Sequence, residues 1–274
     1  MIKSYGIILL SVFLLLGCNS TSTKEKTDAS PVISTPKEEK PEEVEDDSSD
    51  AEKKEMEDVI NERVEPQYEV NEATWKLEPL GEANEKIVLL TIDDAPDQHA
   101  IEMAQTLNNL AVKAIFFVNG HFLDSKKGED ALKKIHEMGF AIGNHTYHHE
   151  NLKEISVEEQ KEEINRLNDR IEEIIGERPK FFRAPFGANT DESLQIVKDA
   201  GMTAMNWTYG YDWEKEYQTK DALANIMIES PFLSNGSILL MHDRTWTNEA
   251  LETIVNGLIE KGYEIADPAL IKTP

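Results

Sequence analysis

The chain of 274 residues holds a single cysteine, Cys18, so no disulfide can form within it in any redox compartment. It is also short of cations. Its 28 Lys and Arg stand against 53 Asp and Glu, a formal charge of -25. Proteins that track phosphate need clustered Lys and Arg to displace counterions, so nucleic acid is not expected as a partner. Long apolar runs are few as well. The one at the start, Tyr5 to Leu16 behind Lys3, is too short to cross a bilayer comfortably. Large apolar residues then almost vanish from Asn19 to Pro66, where Ser, Thr, Pro, Lys and Glu dominate and prolines recur at Pro31, Pro36 and Pro41. Such a stretch cannot bury enough apolar surface to offset its conformational entropy. Seven basic residues against sixteen acidic ones there should extend it beyond the roughly 40 Å of a neutral coil that long.

The short apolar run followed by Gly17-Cys18 has the form of a signal peptide's end. Leu15-Leu16-Gly17-Cys18 resembles a bacterial lipobox, which implies cleavage before Cys18 and lipidation of its thiol. The expected organisation is a lipoprotein signal peptide over 1–18, a disordered acidic linker over 19–70 that holds a domain clear of the membrane, and one folded domain over 71–274. The expected location is the extracellular face of the cell membrane, and the expected oligomeric state is a monomer.

Past Trp75 apolar runs alternate with amphipathic stretches. Ile87–Ile92, Ala114–Val118, Phe140–Gly143, Phe181–Phe182, Thr203–Trp207, Ile238–Met241 and Tyr263–Ala266 read as short buried strands. Helical patterns lie near 99–111, 128–138, 156–175, 191–200, 219–229 and 247–261. Ser156 and Asp191 stand at cap positions, and Gly139, Gly176, Gly201 and Gly262 sit where helices should stop. Repeated strand–helix alternation indicates a parallel α/β fold. A closed or nearly closed barrel and an open doubly wound sheet both satisfy it.

Reactive residues fall at or just after these strands: Asp93-Asp94, His145, Arg183, Asp212 and His242. In a parallel barrel those strand ends share one face. If His145-Thr146-Tyr147-His148-His149 forms a helical turn, His145 and His149 share a side at spacing i, i+4. With Asp94 they make a two-histidine, one-carboxylate metal site, and Asp93 beside it is left free to act as a base. His148 reads as structural, as do His99, His121 and His136. Trp246, on the loop after His242, is a candidate for lining a sugar groove.

These residues resemble the polysaccharide deacetylases of the NodB-homology type, carbohydrate esterase family 4, over about Ile87 to Ala266. Thr91-Ile92-Asp93-Asp94-Ala95-Pro96 is similar to the family's first motif, Gly143 to His149 to its second, and Arg183-Ala184-Pro185-Phe186-Gly187 to its third. Asp212-Trp213 and Leu240-Met241-His242 are similar to the fourth and fifth. The fold implied is a distorted (β/α) barrel. The resemblance further implies that Asp94, His145 and His149 bind a divalent metal, with Zn2+ the default and Co2+, Ni2+ or Fe2+ compatible with the donors. It makes Asp93 the general base, Arg183 its anchor, His242 the general acid and Asp212 the carboxylate that keeps that imidazole charged. Phe186 would give a backbone N–H to the oxyanion, and Trp213 and Leu240 would wall a pocket for the acetyl methyl. The activity implied is removal of N-acetyl groups from an amino sugar polymer, with the N-acetylglucosamine of peptidoglycan expected from the compartment. An O-acetyl esterase and a wall-binding lipoprotein with a silent site are the competing readings. Two residues depart from the first motif, Ile92 where Phe is usual and Ala95 where Gly is usual. If position 95 is left-handed, alanine there should strain the loop that carries both acids.

Overall fold

The computed structural model describes residues 65–274; Cys18, the apolar run, the lipobox and most of the expected linker lie outside the described residues. The fold starts at Tyr68, inside the stretch that composition assigned to the linker. A hairpin of β1 (Tyr68–Asn71) and β2 (Lys76–Pro79) comes first, and sequence patterning gave no sign of it. Only Tyr68 and Leu77 of its eight residues are buried, so its alternation is too weak to stand out.

Strands and helices then alternate along the chain: β3 (Ile87–Ala95), α1 (Ala100–Asn109), β4 (Ile115–Val118), α2 (Lys126–Glu137), β5 (Ala141–Asn144), α3 (Val157–Ile175), β6 (Phe181–Phe182), α4 (Asp191–Asp199), β7 (Thr203–Ala204), α5 (Lys220–Glu229), β8 (Ser237–His242), α6 (Thr245–Glu260) and β9 (Glu264–Ile265). The helix ends are chemically specified. Ser156 and Glu159 form a capping box on α3, and Gly176 closes that helix at φ 85°. Asp191 is the first residue of α4 rather than its cap; Thr190 takes that role, reciprocally bonded to Ser193. Gly139, Gly201 and Gly262 likewise follow helices in the left-handed region.

The strand order is β1-β2-β8-β3-β4-β5-β6-β7, parallel from β8 onward, with β9 on the first residues of β3. The sheet curls until the segment after β7 meets β8: Tyr209 bridges Leu239, Thr208 N–H donates to Ile238 at 2.8 Å, and Leu240 N–H donates to Tyr209 at 2.9 Å. The result is a nearly closed α/β barrel, which decides between the two architectures that alternation allowed. Along β3 the side-chain period of two separates two cores. Val88, Leu90 and Ile92 pack outward with Met103, Leu107, Ile254 and Leu258 of the helices. Ile87 and Leu89 point into the barrel with Ile115, Phe117, Phe181 and Ile238, and Tyr68 and Leu77 of the hairpin join them at the strand starts. Higher up the interior of β3, apolar residues give way to Thr91 and Asp93, both buried. Among the described residues no helix is long and apolar enough to cross a membrane.

Candidate active site

Adjacent residues of a regular strand face opposite sides, so Asp93 and Asp94 can serve one site only if β3 breaks its alternation. It does so through a bulge. Ile92 pairs with Phe116 but Ala95 pairs with Val118, so three residues of β3 advance against two of β4, and Asp94 takes φ 60°. Aspartate tolerates the left-handed region better than most residues. The expected strain at position 95 is therefore misplaced by one residue. Ala95 is ordinary buried strand, and the left-handed residue is Asp94 itself.

The histidines meet by a different route from the one their spacing suggested. Residues 145–149 form no helix; they are a turn leaving the end of β5, with Thr146 at φ 66° and His149 at φ 63°. Left-handed backbone costs roughly 1–2 kcal/mol per residue outside glycine. Local bonds offset it: Asn144 Oδ1 accepts from Thr146 N–H at 2.8 Å, Thr146 Oγ1 accepts from His149 N–H at 3.2 Å, and Asn119 Nδ2 donates to the His145 carbonyl at 2.6 Å. His145 Nδ1 lies 2.7 Å from the Arg183 carbonyl. A carbonyl only accepts, so Nδ1 carries the proton and Nε2 keeps its lone pair for an ion. Burial pushes the His145 pKa down, which favours the same neutral form.

Asp94 Oδ1 lies 3.5 Å from His149 Nε2 and 3.9 Å from His145 Nε2, and one donor atom from each of the three residues falls within 4.8 Å of the others. Ligands at ordinary zinc distances in a tetrahedral shell stand about 3.4 Å apart. The donors thus fit a divalent cation in both chemistry and spacing. Asp94 Oδ2 faces away from them and accepts from Arg244 at 2.9 Å, a partner that no motif signalled.

Asp93 flanks this trio, its Oδ2 at 3.6 Å from His145 Nε2. Its Oδ1 accepts from Arg183 Nη1 at 2.7 Å. Among the described residues Arg183 is the largest fully buried side chain, stacked 4.4 Å over the Phe117 ring and bonded to Thr91 and to the carbonyls of Met205 and Asn206. Burial pushes the pKa of its guanidinium down, and Asp93 opposes that shift. The chain after Arg183 turns sharply, with Phe186 at φ 59° and Gly187 at φ 63°. The Phe186 ring is exposed and meets His149 edge-on at 4.9 Å.

Opposite lies His242. The Asp212 carboxylate accepts from its ring Nδ1 at 2.7 Å and from its backbone N–H at 2.6 Å. Burial alone would push the His242 pKa down, but the bond and charge of Asp212, joined by the charges of Asp93 and Asp94, outweigh it and hold the imidazole above its usual 6.5. Thr247 Oγ1 and Trp246 Nε1 donate to the Asp212 carboxylate and carbonyl, each at 2.8 Å. Trp246, a candidate for the groove, is thus bonded to the Asp212 backbone. Trp213 stands edge-on to His242 at 5.6 Å, and Gly210 leaves the space in which Leu240 and Trp213 approach: a Cβ there would collide with the Leu240 carbonyl oxygen and lie 2.9 Å from the Trp213 ring. Asp243, unremarked in the sequence, accepts four backbone N–H groups from residues 97–100 and ties the start of α1 to the end of β8.

Asp93, Asp94, His145, His149, Arg183, Asp212 and His242 therefore come together at one end of the barrel. A family model described as polysaccharide deacetylase matches residues 80–205. A peptidoglycan-N-acetylglucosamine deacetylase of Bacillus cereus is 32% identical over 188 residues, covering 65% of this chain and 68% of that protein. The chain belongs to the polysaccharide deacetylase family. Other members differ in what is known of them. The uncharacterized protein YlxY of Bacillus subtilis is 29% identical over 215 residues, 76% of this chain, which spans 64% of YlxY. Among solved structures, a carbohydrate esterase family 4 pseudoenzyme from Bacillus anthracis superposes with TM-score 0.61 at 31% identity, covering 68% of this chain and 64% of its own; a mutant of it has restored enzymatic activity.

Proposed function

We propose that this family member is a metal-dependent hydrolase that removes N-acetyl groups from N-acetylglucosamine in peptidoglycan. The observation that carries the reading is the meeting of two complete sets of groups: the Asp94, His145 and His149 donors beside Asp93 and Arg183, and the Asp212–His242 pair across from them. The similarity to a Bacillus cereus enzyme named for that substrate supports the choice of sugar. When bound, a divalent cation supplies Lewis-acid polarisation of the acetyl carbonyl and makes a neighbouring water more acidic, and zinc suits the donors.

The remaining work belongs to the chain. Asp93 Oδ2 takes the proton of the attacking water, while Arg183 on Oδ1 keeps that oxygen aimed at the site. The Phe186 N–H is assigned to the charge that grows on the carbonyl oxygen, a kind of contact typically worth about 3 kcal/mol. His242, held cationic by Asp212, gives its proton to the nitrogen as the C–N bond breaks, so acetate and a free amine leave. Leu240 and Trp213 wall the acetyl methyl. In the same proposal Cys18 carries a lipid anchor, and the stretch between it and the start of the fold at Tyr68 holds the domain at the outer face of the membrane, within reach of the wall.

Acetate release from defined N-acetyl and O-acetyl glycans, with metal content measured on the same protein, tests the assignment. Release from N-acetyl chitooligomers or peptidoglycan, and a loss of roughly two to four orders of magnitude in Asp93→Asn with metal retained, is expected. Release from O-acetyl glycans alone would make the chain an esterase. The likeness to a pseudoenzyme favours one second reading, a wall-binding lipoprotein with a silent site. No release from either glycan by metal-loaded protein would establish it.

A further inference from the structure

The turn that carries the two histidines packs on α3, where Arg166 lies 3.7 Å over the Tyr147 ring and Glu163, a residue that no motif contains, bonds the turn's backbone. Glu163 is 6% exposed and lies in the buried stripe Gln160, Glu163, Ile164, Leu167, Asn168, Ile171 and Ile174, where a helix ordinarily places apolar side chains. A carboxylate in such a place needs its oxygens satisfied. Both donors to the carboxylate come from His148, and the Glu163 backbone adds a bond to the residue before it. Oε2 accepts from the His148 N–H at 2.7 Å, Oε1 accepts from the His148 ring, and the Glu163 carbonyl accepts from the Tyr147 N–H at 3.1 Å. The His148 side chain is itself 48% exposed and is absent from the donor trio, so its work lies in this contact.

The grip falls between the two left-handed residues, Thr146 and His149. His145 is held independently, by its N–H on the Val118 carbonyl and its ring on the Arg183 carbonyl. His149 has no such support: its N–H bond to Thr146 is internal to the turn, and its ring is 28% exposed. We propose that Glu163 is a positioning residue for the metal centre, its carboxylate clamping His148 so that His149 is presented to the ion beside His145. The proposal rests on Asp94, His145 and His149 being the ligands. Without the carboxylate, His149 is free to relax toward ordinary backbone angles while Thr146 stays held by Asn144 and by Gly120 N–H on its carbonyl, and a three-ligand site becomes in effect a two-ligand one.

The test is zinc affinity of the full chain by competition with a chromogenic chelator, together with the visible absorption of the cobalt(II)-loaded protein, which reports the ligand set. Glu163→Ala should bind zinc ten- to a hundredfold more weakly, as loss of groups that orient metal ligands generally does, and should show an altered cobalt band. Glu163→Gln, which keeps an acceptor for the His148 N–H, should recover most of the affinity. Arg170→Ala separates clamping from general loosening: Arg170 ties α3 to the Leu123 carbonyl and to Glu129 and touches nothing in the turn, so it should lower stability and leave zinc affinity alone. Wild-type affinity in folded Glu163→Ala overturns the proposal, as does an equal loss in Arg170→Ala. Should Glu163→Ala not fold, His148→Ala decides, a several-fold weaker zinc affinity supporting the clamp and an unchanged one overturning it. A wild type that binds neither metal overturns the metal-centre reading and the clamp with it, whereas tight wild-type binding unaffected by these changes overturns the clamp alone.

Discussion

Ala95→Gly restores the residue usual in the family's first motif, and the geometry of β3 determines what it should do. The Ala95 methyl is fully buried in the cluster that includes Ala100 and Val118, and the left-handed conformation belongs to Asp94. Glycine therefore relieves nothing. It removes one buried methyl, about 0.8 kcal/mol, and frees the unfolded chain by about 0.4–1 kcal/mol more. The expected loss is about 1.5 kcal/mol, which for a domain of this size lowers Tm by about 3–6 °C. Turnover should barely move, because the aim of both acids is set elsewhere: Arg183 holds Asp93 Oδ1 and Arg244 holds Asp94 Oδ2. Equilibrium urea unfolding and acetate release at saturating metal measure the two quantities. A variant that is both more stable and clearly faster would refute the reasoning, since it would mean that strain resides at position 95 after all.

Three further outcomes follow from the site. Asp212→Asn removes the charge that holds His242 up, so the alkaline limb of the rate profile should move to lower pH. The sign is the same for folding: with its folded pKa raised above 6.5, His242 contributes fully below that value and its contribution fades as pH climbs through the raised one, a dependence the variant should lose in pH-resolved denaturation. Chelation should abolish activity and lower Tm with the logarithm of the free zinc concentration, yet leave the circular dichroism of a folded domain, because the cores form without the ion. Arg183→Met alone should cost about 3–5 kcal/mol by stranding Asp93, whereas the double change with Asp93→Leu should recover most of that while remaining inactive; denaturation of the single and paired variants measures the coupling.

Most of the barrel was legible because its signals are local. Two-sided burial makes β3, β4 and β8 continuous apolar runs, and capping chemistry at Ser156 and Gly176 fixes the ends of α3. The β1–β2 hairpin was not legible, since its burial comes from tertiary contact with the strand starts and its sequence shows little alternation. At the site, residue identity was legible and geometry was not. The i, i+4 spacing of His145 and His149 suits a helix, but Asn144 side-chain bonding at the end of β5 diverts the backbone into a turn. Two adjacent aspartates give no hint of a bulge, which exists only in the register between β3 and β4. Arg244, Asp243 and Glu163 matter through partners 15 or more residues away, and a motif records none of these pairings.

Structural likeness to a pseudoenzyme makes fold a poor guide to activity here, so the decision rests on what each group costs. A buried ion pair such as Asp93–Arg183 adds little stability over well-packed apolar residues of similar size. A turn with non-glycine residues at φ 66° and 63° is less stable than the same turn built on glycine, and Asp94 adds a third left-handed residue. A scaffold that only bound the wall would need none of these features. What they share is a place: each aims a donor or a carboxylate at the point enclosed by Asp94, His145 and His149. The Asp212–His242 pair does not contribute a ligand there, and an ion-binding role alone leaves it without a purpose. The proposed hydrolysis would give it one, because a base on one side and an acid on the other are what cleavage of an amide requires.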